Sequence, residues 1–164
     1  SPAVVFHLIR NAHMNVDELD ALFNKRSGMM GMTGFGDLRE VHRLVAEGNE
    51  DAKLALDVYV HRIVGYIGNY TAQMGGVDVI TFTAGVGEND DVVRKMVCDK
   101  LAPFGVKLDE EKNATRSKEP HIISTPDSKI TICVIPTNEE LAIARKSAAI
   151  AEAGEDTYGN VFSK

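Results

Sequence analysis

The chain is poor in cysteine, in positive charge and in long apolar runs, and each shortage removes a class of protein. Its two cysteines, Cys98 and Cys133, lie 35 residues apart, with no C-x-x-C pair and no histidine at metal-ligand spacing. Neither a disulfide framework nor a zinc site is encoded, and both thiols are expected to be buried in a reducing, cytoplasmic compartment. Lys and Arg number 18 against 24 Asp and Glu, a formal net charge of −6, so no basic field exists to grip a nucleic-acid backbone and no nucleic-acid partner is expected. The apolar runs are only a few residues long and no charged segment precedes one at the start, which speaks against a signal peptide and a membrane partner. What remains is 164 residues, 44% hydrophobic and 26% charged. That composition suits one globular domain, at most two, large enough to bury a core without disulfides or structural metals.

The chain opens on Ser1-Pro2 rather than methionine, at the head of an amphipathic segment, and is expected to be a piece of a longer protein. Proline suits a first helical turn, and Val4, Val5, Leu8 and Ile9 then form an apolar stripe predicting a helix to about His13. Asn15 and Glu18 make a capping-box pattern ahead of a second helix through Leu19, Leu22 and Phe23 that Ser27-Gly28 ends. Met29 to Gly36, with three glycines among methionines, predicts an ordered loop in which Met29, Met30 and Met32 plug a core gap. Asp37 with Glu40 predicts another capping box and a short helix ending at Gly48. Apolar residues from Ala52 to Tyr70 then recur at helical spacing, predicting about seven turns from Asn49 to Met74, with Gly65 and Gly68 marking close approach of another element.

Beyond Gly75-Gly76 the pattern changes. Val77 to Thr83 and Ile130 to Ile135 read as strands buried on both faces, and the first leads through Ala84 to Asn89, a glycine turn, into a helix to Leu101. Asp109 to Lys112 reads as a solvated helix start. Thr137 and Glu140 make a further capping-box pattern for a last helix to about Ala153, and the polar tail from Glu155 is expected to fray. Helices cover more than half the chain, and two strands alone do not make a stable sheet.

The strand, glycine loop, helix unit around Gly85-Val86-Gly87-Glu88-Asn89 lies where open α/β sheets bind ligands. Gly85 and Gly87 let backbone approach a ligand, and the helix amides beyond Asn89 offer donors. From spacing alone, a packing turn with a capping asparagine explains the loop equally well. No third glycine completes a dinucleotide fingerprint and no phosphate-binding G-x-x-x-x-G-K-[ST] loop occurs. The five histidines, His7, His13, His42, His61 and His121, have no partners at informative spacing and are read as surface or packing residues.

The string from Phe82 to Asn89, with Pro136-Thr137-Asn138-Glu139-Glu140-Leu141 and Asn24-Lys25-x-Ser27-Gly28, resembles the acetate kinase family over nearly the whole chain. The resemblance implies an α/β fold: a helix-rich part of an actin-like, ribonuclease H-like ATPase domain with a partial, mostly parallel sheet. Residues 1–154 would be the later part of that family's C-terminal nucleotide-binding domain and 155–164 a polar tail. It implies ATP and ADP as nucleotides, Mg²⁺, acetate and acetyl phosphate as substrates, and pairing into a homodimer. Gly85, Val86, Gly87, Glu88 and Asn89 would hold the adenosine end. Asp37, Leu38 and Arg39 would form a second nucleotide-contacting segment, in which Leu38 departs from the family's usual phenylalanine. Ala84 replaces a frequent glycine, a change tolerated where backbone angles are ordinary. Glu139 would stand beside the magnesium ion, with Glu140 structural. The family's catalytic histidine, aspartate and arginines match nothing in this chain, so the chain alone is expected to have no turnover. A propionate or butyrate kinase, or a non-catalytic association or nucleotide-binding module, stays open at this point.

Overall fold

In the computed structural model, residues 2–153 are described; within the last helix, the side chains of Glu139, Ala142, Glu152 and Ala153 lie outside the description. The expectations for Ser1 and the tail from Glu155 likewise lie outside it. The chain forms two compact units divided after Gly76. Among the described residues no helix is long and apolar enough to cross a membrane.

The first unit is helical: α1 (Ala3–Ala12), α2 (Val16–Lys25), α3 (Gly28–Thr33), α4 (Leu38–Ala46) and α5 (Glu50–Met74). Capping chemistry sets most boundaries. Asn15 and Glu18 form the expected reciprocal box at the start of α2, and Asn49 caps α5 by accepting from the Ala52 amide. Asp37 caps α4, but through the Arg39 amide rather than that of Glu40, whose carboxylate pairs with Arg43 instead. The expected capping box is therefore a simple cap.

The methionine-rich loop is a helix. Thr33 Oγ1 donates to the Met29 carbonyl at 2.8 Å, and Gly34 stops α3 in the left-handed region at φ +78°. Gly31 suits this turn because a Cβ there would lie 2.6 Å from the Arg26 carbonyl oxygen. Met30 and Met32 are exposed rather than plugging a core. Helix α5 packs on α3 and α4 and buries Ala52, Ala55, Leu56 and Val60, all in its first half. Gly65 and Gly68 have no non-local atom within 4 Å of an added Cβ, so the close approach expected of them is absent among the described residues.

The second unit is a small sheet with helices: β1 (Val79–Phe82), α6 (Ala84–Asn89), α7 (Asp91–Leu101), α8 (Glu110–Ala114), β2 (His121–Ile122), β3 (Thr131–Val134) and α9 (Glu139–Ala153). The strand order is β1-β3-β2. β1 and β3 run parallel, Val79 opposite Thr131 and Phe82 opposite Val134, while β2 is antiparallel to β3, His121 opposite Val134. The two expected strands thus gain a third. It is two residues long and carries no periodic signal, so only pairing defines it. The core gathers Val93, Val97, Cys98 and Leu101 of α7 with Ile123, Ile132 and Val134. β1 is not buried on both faces, since Val79 is 50% exposed, and Cys133 is half-buried rather than buried.

Candidate functional site

Three chain segments meet at one edge of the sheet in the second unit. The carboxyl ends of the parallel strands β1 and β3 deliver α6 and Ile135-Pro136-Thr137 to that edge, and the turn ahead of antiparallel β2 arrives there from the opposite direction. Between them lies a cleft of about 550 Å³, lined by Glu88, Asn89, Arg116, Lys118, Pro136 and Thr137 among others. A crevice of that size outside the carboxyl ends of parallel strands is where open α/β sheets take small ligands.

The glycine segment is a six-residue helix, not a turn. It begins with Ala84 at φ +58°, so the backbone there is left-handed and the expectation of ordinary angles does not hold. The two glycines do different work. Gly85 has no atom within 4 Å of an added Cβ, leaving its face open, whereas a Cβ on Gly87 would lie 3.3 Å from the Phe82 carbonyl carbon. Gly87 is small so that α6 can fold back on β1, and only Gly85 keeps space for a ligand. Asn89 is exposed and bonds along its own helix, its Nδ2 donating to the Gly85 carbonyl at 2.8 Å.

Glu88 binds the segment to the end of β3. Its Oε1 accepts from the Thr137 amide at 2.7 Å and from Thr137 Oγ1 at 2.9 Å. These donors hold the Glu88 carboxyl below its ordinary range because they favour the charged form. Thr137 is consequently not the cap of α9. Asn138 takes that place, accepting from the Leu141 amide at 2.9 Å, and Glu140 sits in the first turn without a capping-box partner. Glu139 begins α9 two residues beyond the cleft wall; its expected magnesium role rests on a side chain outside the description. Among the described residues no group of three or more His, Cys, Asp or Glu is placed to hold a metal. A magnesium ion carried by phosphates and water needs only one or two carboxylates.

The most buried charged residue among the described residues of this unit belongs to no motif of the sequence. Arg94, 3% exposed, donates from Nη1 to the carbonyls of Gly87 at 3.0 Å and Glu88 at 2.9 Å. Its Nε and Nη2 reach Asn113 Oδ1 at 2.8 Å and the Asn113 carbonyl at 2.6 Å. Asn113 in turn donates to the Asp91 carbonyl. Burial pushes the guanidinium pKa down, but it has four oxygen acceptors and stays paired. The signal available in the sequence was an arginine among apolar residues on the inner face of α7. Of the amides expected to receive an anion at the start of α7, that of Val93 is taken by the Asp90 carboxylate, whose own charge opposes an anion there.

In the first unit, Asp37, Leu38 and Arg39 open α4 on the surface. Arg39 grips Asp37 through Nε and Nη2, which holds the Asp37 carboxyl down to about 2. Leu38 is half-buried. Of the histidines, His121 is half-buried, its Nδ1 3.0 Å from the Glu119 carbonyl oxygen.

The acetokinase family model matches residues 1–145. An acetate kinase of Leifsonia xyli subsp. xyli is 52% identical over 153 residues, covering 93% of this chain and 38% of that protein. Among solved structures, Porphyromonas gingivalis acetate kinase superposes with a TM-score of 0.82 at 39% identity, covering 92% of this chain and 38% of the other. A propionate kinase from Francisella tularensis superposes with a TM-score of 0.80 at 36% identity, covering 89% and 37% respectively. The chain therefore spans well under half the length of the relatives it matches.

Proposed function

The chain belongs to the acetokinase family, with that family's actin-like α/β fold, and from this premise we propose that it forms the later, nucleotide-binding part of an acetate kinase. The reaction would be reversible, Mg²⁺-dependent transfer of the ATP γ-phosphoryl group to acetate, giving ADP and acetyl phosphate in a cytoplasmic setting. The observation that carries the reading is the cleft at the ends of β1 and β3, with the unobstructed face of Gly85 and the Glu88–Thr137 tie at its rim.

In this reading Gly85 to Asn89 receive the adenosine end, Asp37 to Arg39 supply a second nucleotide contact, and Glu139 stands on the magnesium side. Arg94 acts through the carbonyls of Gly87 and Glu88, fixing where the segment presents its backbone. A Mg²⁺ held on the Glu139 side would supply charge neutralisation to the phosphates. Phosphoryl transfer depends on positioning and charge neutralisation, and the acetate-binding and most charge-stabilising groups match nothing in this chain. Calorimetry with ADP and Mg²⁺ should show binding to the chain, and a coupled assay with ATP and acetate should show no turnover. Absence of ADP binding, or turnover at a whole kinase's level, overturns the proposal.

Two alternatives keep specific support. The Francisella likeness supports a propionate or butyrate kinase as the alternative, because the acyl pocket matches nothing here. Leu54, Val58, Tyr66, Tyr70 and Met74 are exposed along α5, which fits a homodimer or a non-catalytic association module. Light scattering with and without ADP separates these: a dimer indifferent to nucleotide favours the module.

A further inference from the structure

We propose that the turn Arg116-Ser117-Lys118 is a phosphate-binding subsite, two cations at the mouth of the cleft that take a phosphate or diphosphate group. The family resemblance assigned these residues nothing, and the nucleotide reading above is needed only for the source of the phosphate.

The backbone of the turn is closed by its serine. Ser117 Oγ donates to the Glu119 carbonyl and accepts from the Glu119 amide, both at 3.0 Å, which closes a local turn between the two cations. Pairing of His121 with Val134 then brings that turn to the edge where β3 runs out into Pro136 and Thr137. Among the described residues neither Arg116 nor Lys118 has an ion-pair partner, and both line the cleft. In a chain of net charge −6, two cations against one lining carboxylate are a local reversal of sign.

The remaining lining fits the same ligand. It holds one carboxylate, Glu88, whose Oε1 is tied to both Thr137 donors, so two cations face a single negative charge. The Thr137 hydroxyl is committed there as well. The start of α7, the other candidate for an anion, carries the opposing charge of Asp90. An arginine fork beside a lysine point charge matches phosphate, which offers several oxygens and more than one negative charge, better than a lone carboxylate.

The test titrates pyrophosphate, ADP, adenosine and acetate into the 164-residue chain, its R116Q/K118Q variant and the charge-keeping R116K/K118R variant, followed by amide-resolved NMR. Both variants change exposed side chains, and their thermal melts report whether the fold is kept. Pyrophosphate should shift the amides of residues 116–118, with an affinity at least about tenfold lower in R116Q/K118Q and largely kept in R116K/K118R. ADP should show the same loss and adenosine none. No pyrophosphate binding, equal binding by R116Q/K118Q, or acetate competing as well as pyrophosphate overturns the subsite. If adenosine fails to bind while pyrophosphate binding depends on Arg116 and Lys118, the subsite stands and the nucleotide reading falls. Adenosine and ADP binding that both ignore R116Q/K118Q removes the subsite and leaves that reading intact.

Discussion

Glu88 and Thr137, 49 positions apart, are joined through a single carboxylate oxygen that accepts both the amide and the hydroxyl of the threonine. This tie links the segment after β1 to the segment after β3, and so sets the width of the cleft between them. Each end is itself anchored, Glu88 through its carbonyl on buried Arg94 and Thr137 by the cap of Asn138 on α9.

The tie should be sensitive to acid. Glu88 is lowered from an ordinary value of 4.5, so its contribution is complete above that value and is lost as pH falls through the lower folded pKa. The Thr137 amide resonance, followed from neutral pH downward, should titrate with a midpoint below 4.5. A midpoint at or above that value, or a resonance that does not move, means the two donors do not hold the carboxylate in solution.

Arg94→Leu should be among the most damaging substitutions in the second unit. It keeps an apolar branch on the inner face of α7 but strands the carbonyls of Gly87, Glu88 and Asn113, at a cost of about 3 kcal/mol. Urea denaturation measures it, and a loss under about 1 kcal/mol would show that water replaces the guanidinium.

Ala84→Gly should stabilise. Alanine at φ +58° carries a left-handed penalty of about 1 kcal/mol or more that glycine lacks, offset in part by glycine's freedom in the unfolded chain. A rise in melting temperature is expected; a fall would place Ala84 outside the left-handed region.

Two glycine-to-alanine changes should move stability in opposite directions. Gly65→Ala, inside α5 with open space around it, should gain roughly 0.5–1 kcal/mol from helix propensity. Gly31→Ala should lose stability, because its Cβ meets the Arg26 carbonyl oxygen at 2.6 Å and backbone cannot swing aside as a side chain does. Equal effects would refute one of the two local geometries.

Local signals in the sequence located most helices, because caps act within one turn: Asn15 with Glu18 and Asn49 with Ala52 each satisfy an amide three residues away. The same reasoning misplaced Thr137. Its hydroxyl can accept from a helix amide or donate to a carboxylate, and its donation to Glu88 in place of capping α9 depends on β3 lying beside β1. The methionine segment misled for a related reason, since glycine lowers helix propensity but the turn at Gly31 has room for nothing larger.

The sequence by itself determined where the glycine segment falls and the strand character of Val79 to Phe82 and Thr131 to Val134, which are matters of residue type and short-range pattern. The likeness to one kinase family lies in its motif strings. Tertiary structure alone decided that Gly85 stays open while Gly87 packs, that Arg94 rather than a helix terminus secures the segment, and that Arg116 and Lys118 stand at its side. Each of those depends on groups brought together by strand pairing across tens of residues, and a hydrogen bond or a steric limit has no sequence signature until both its partners are in place.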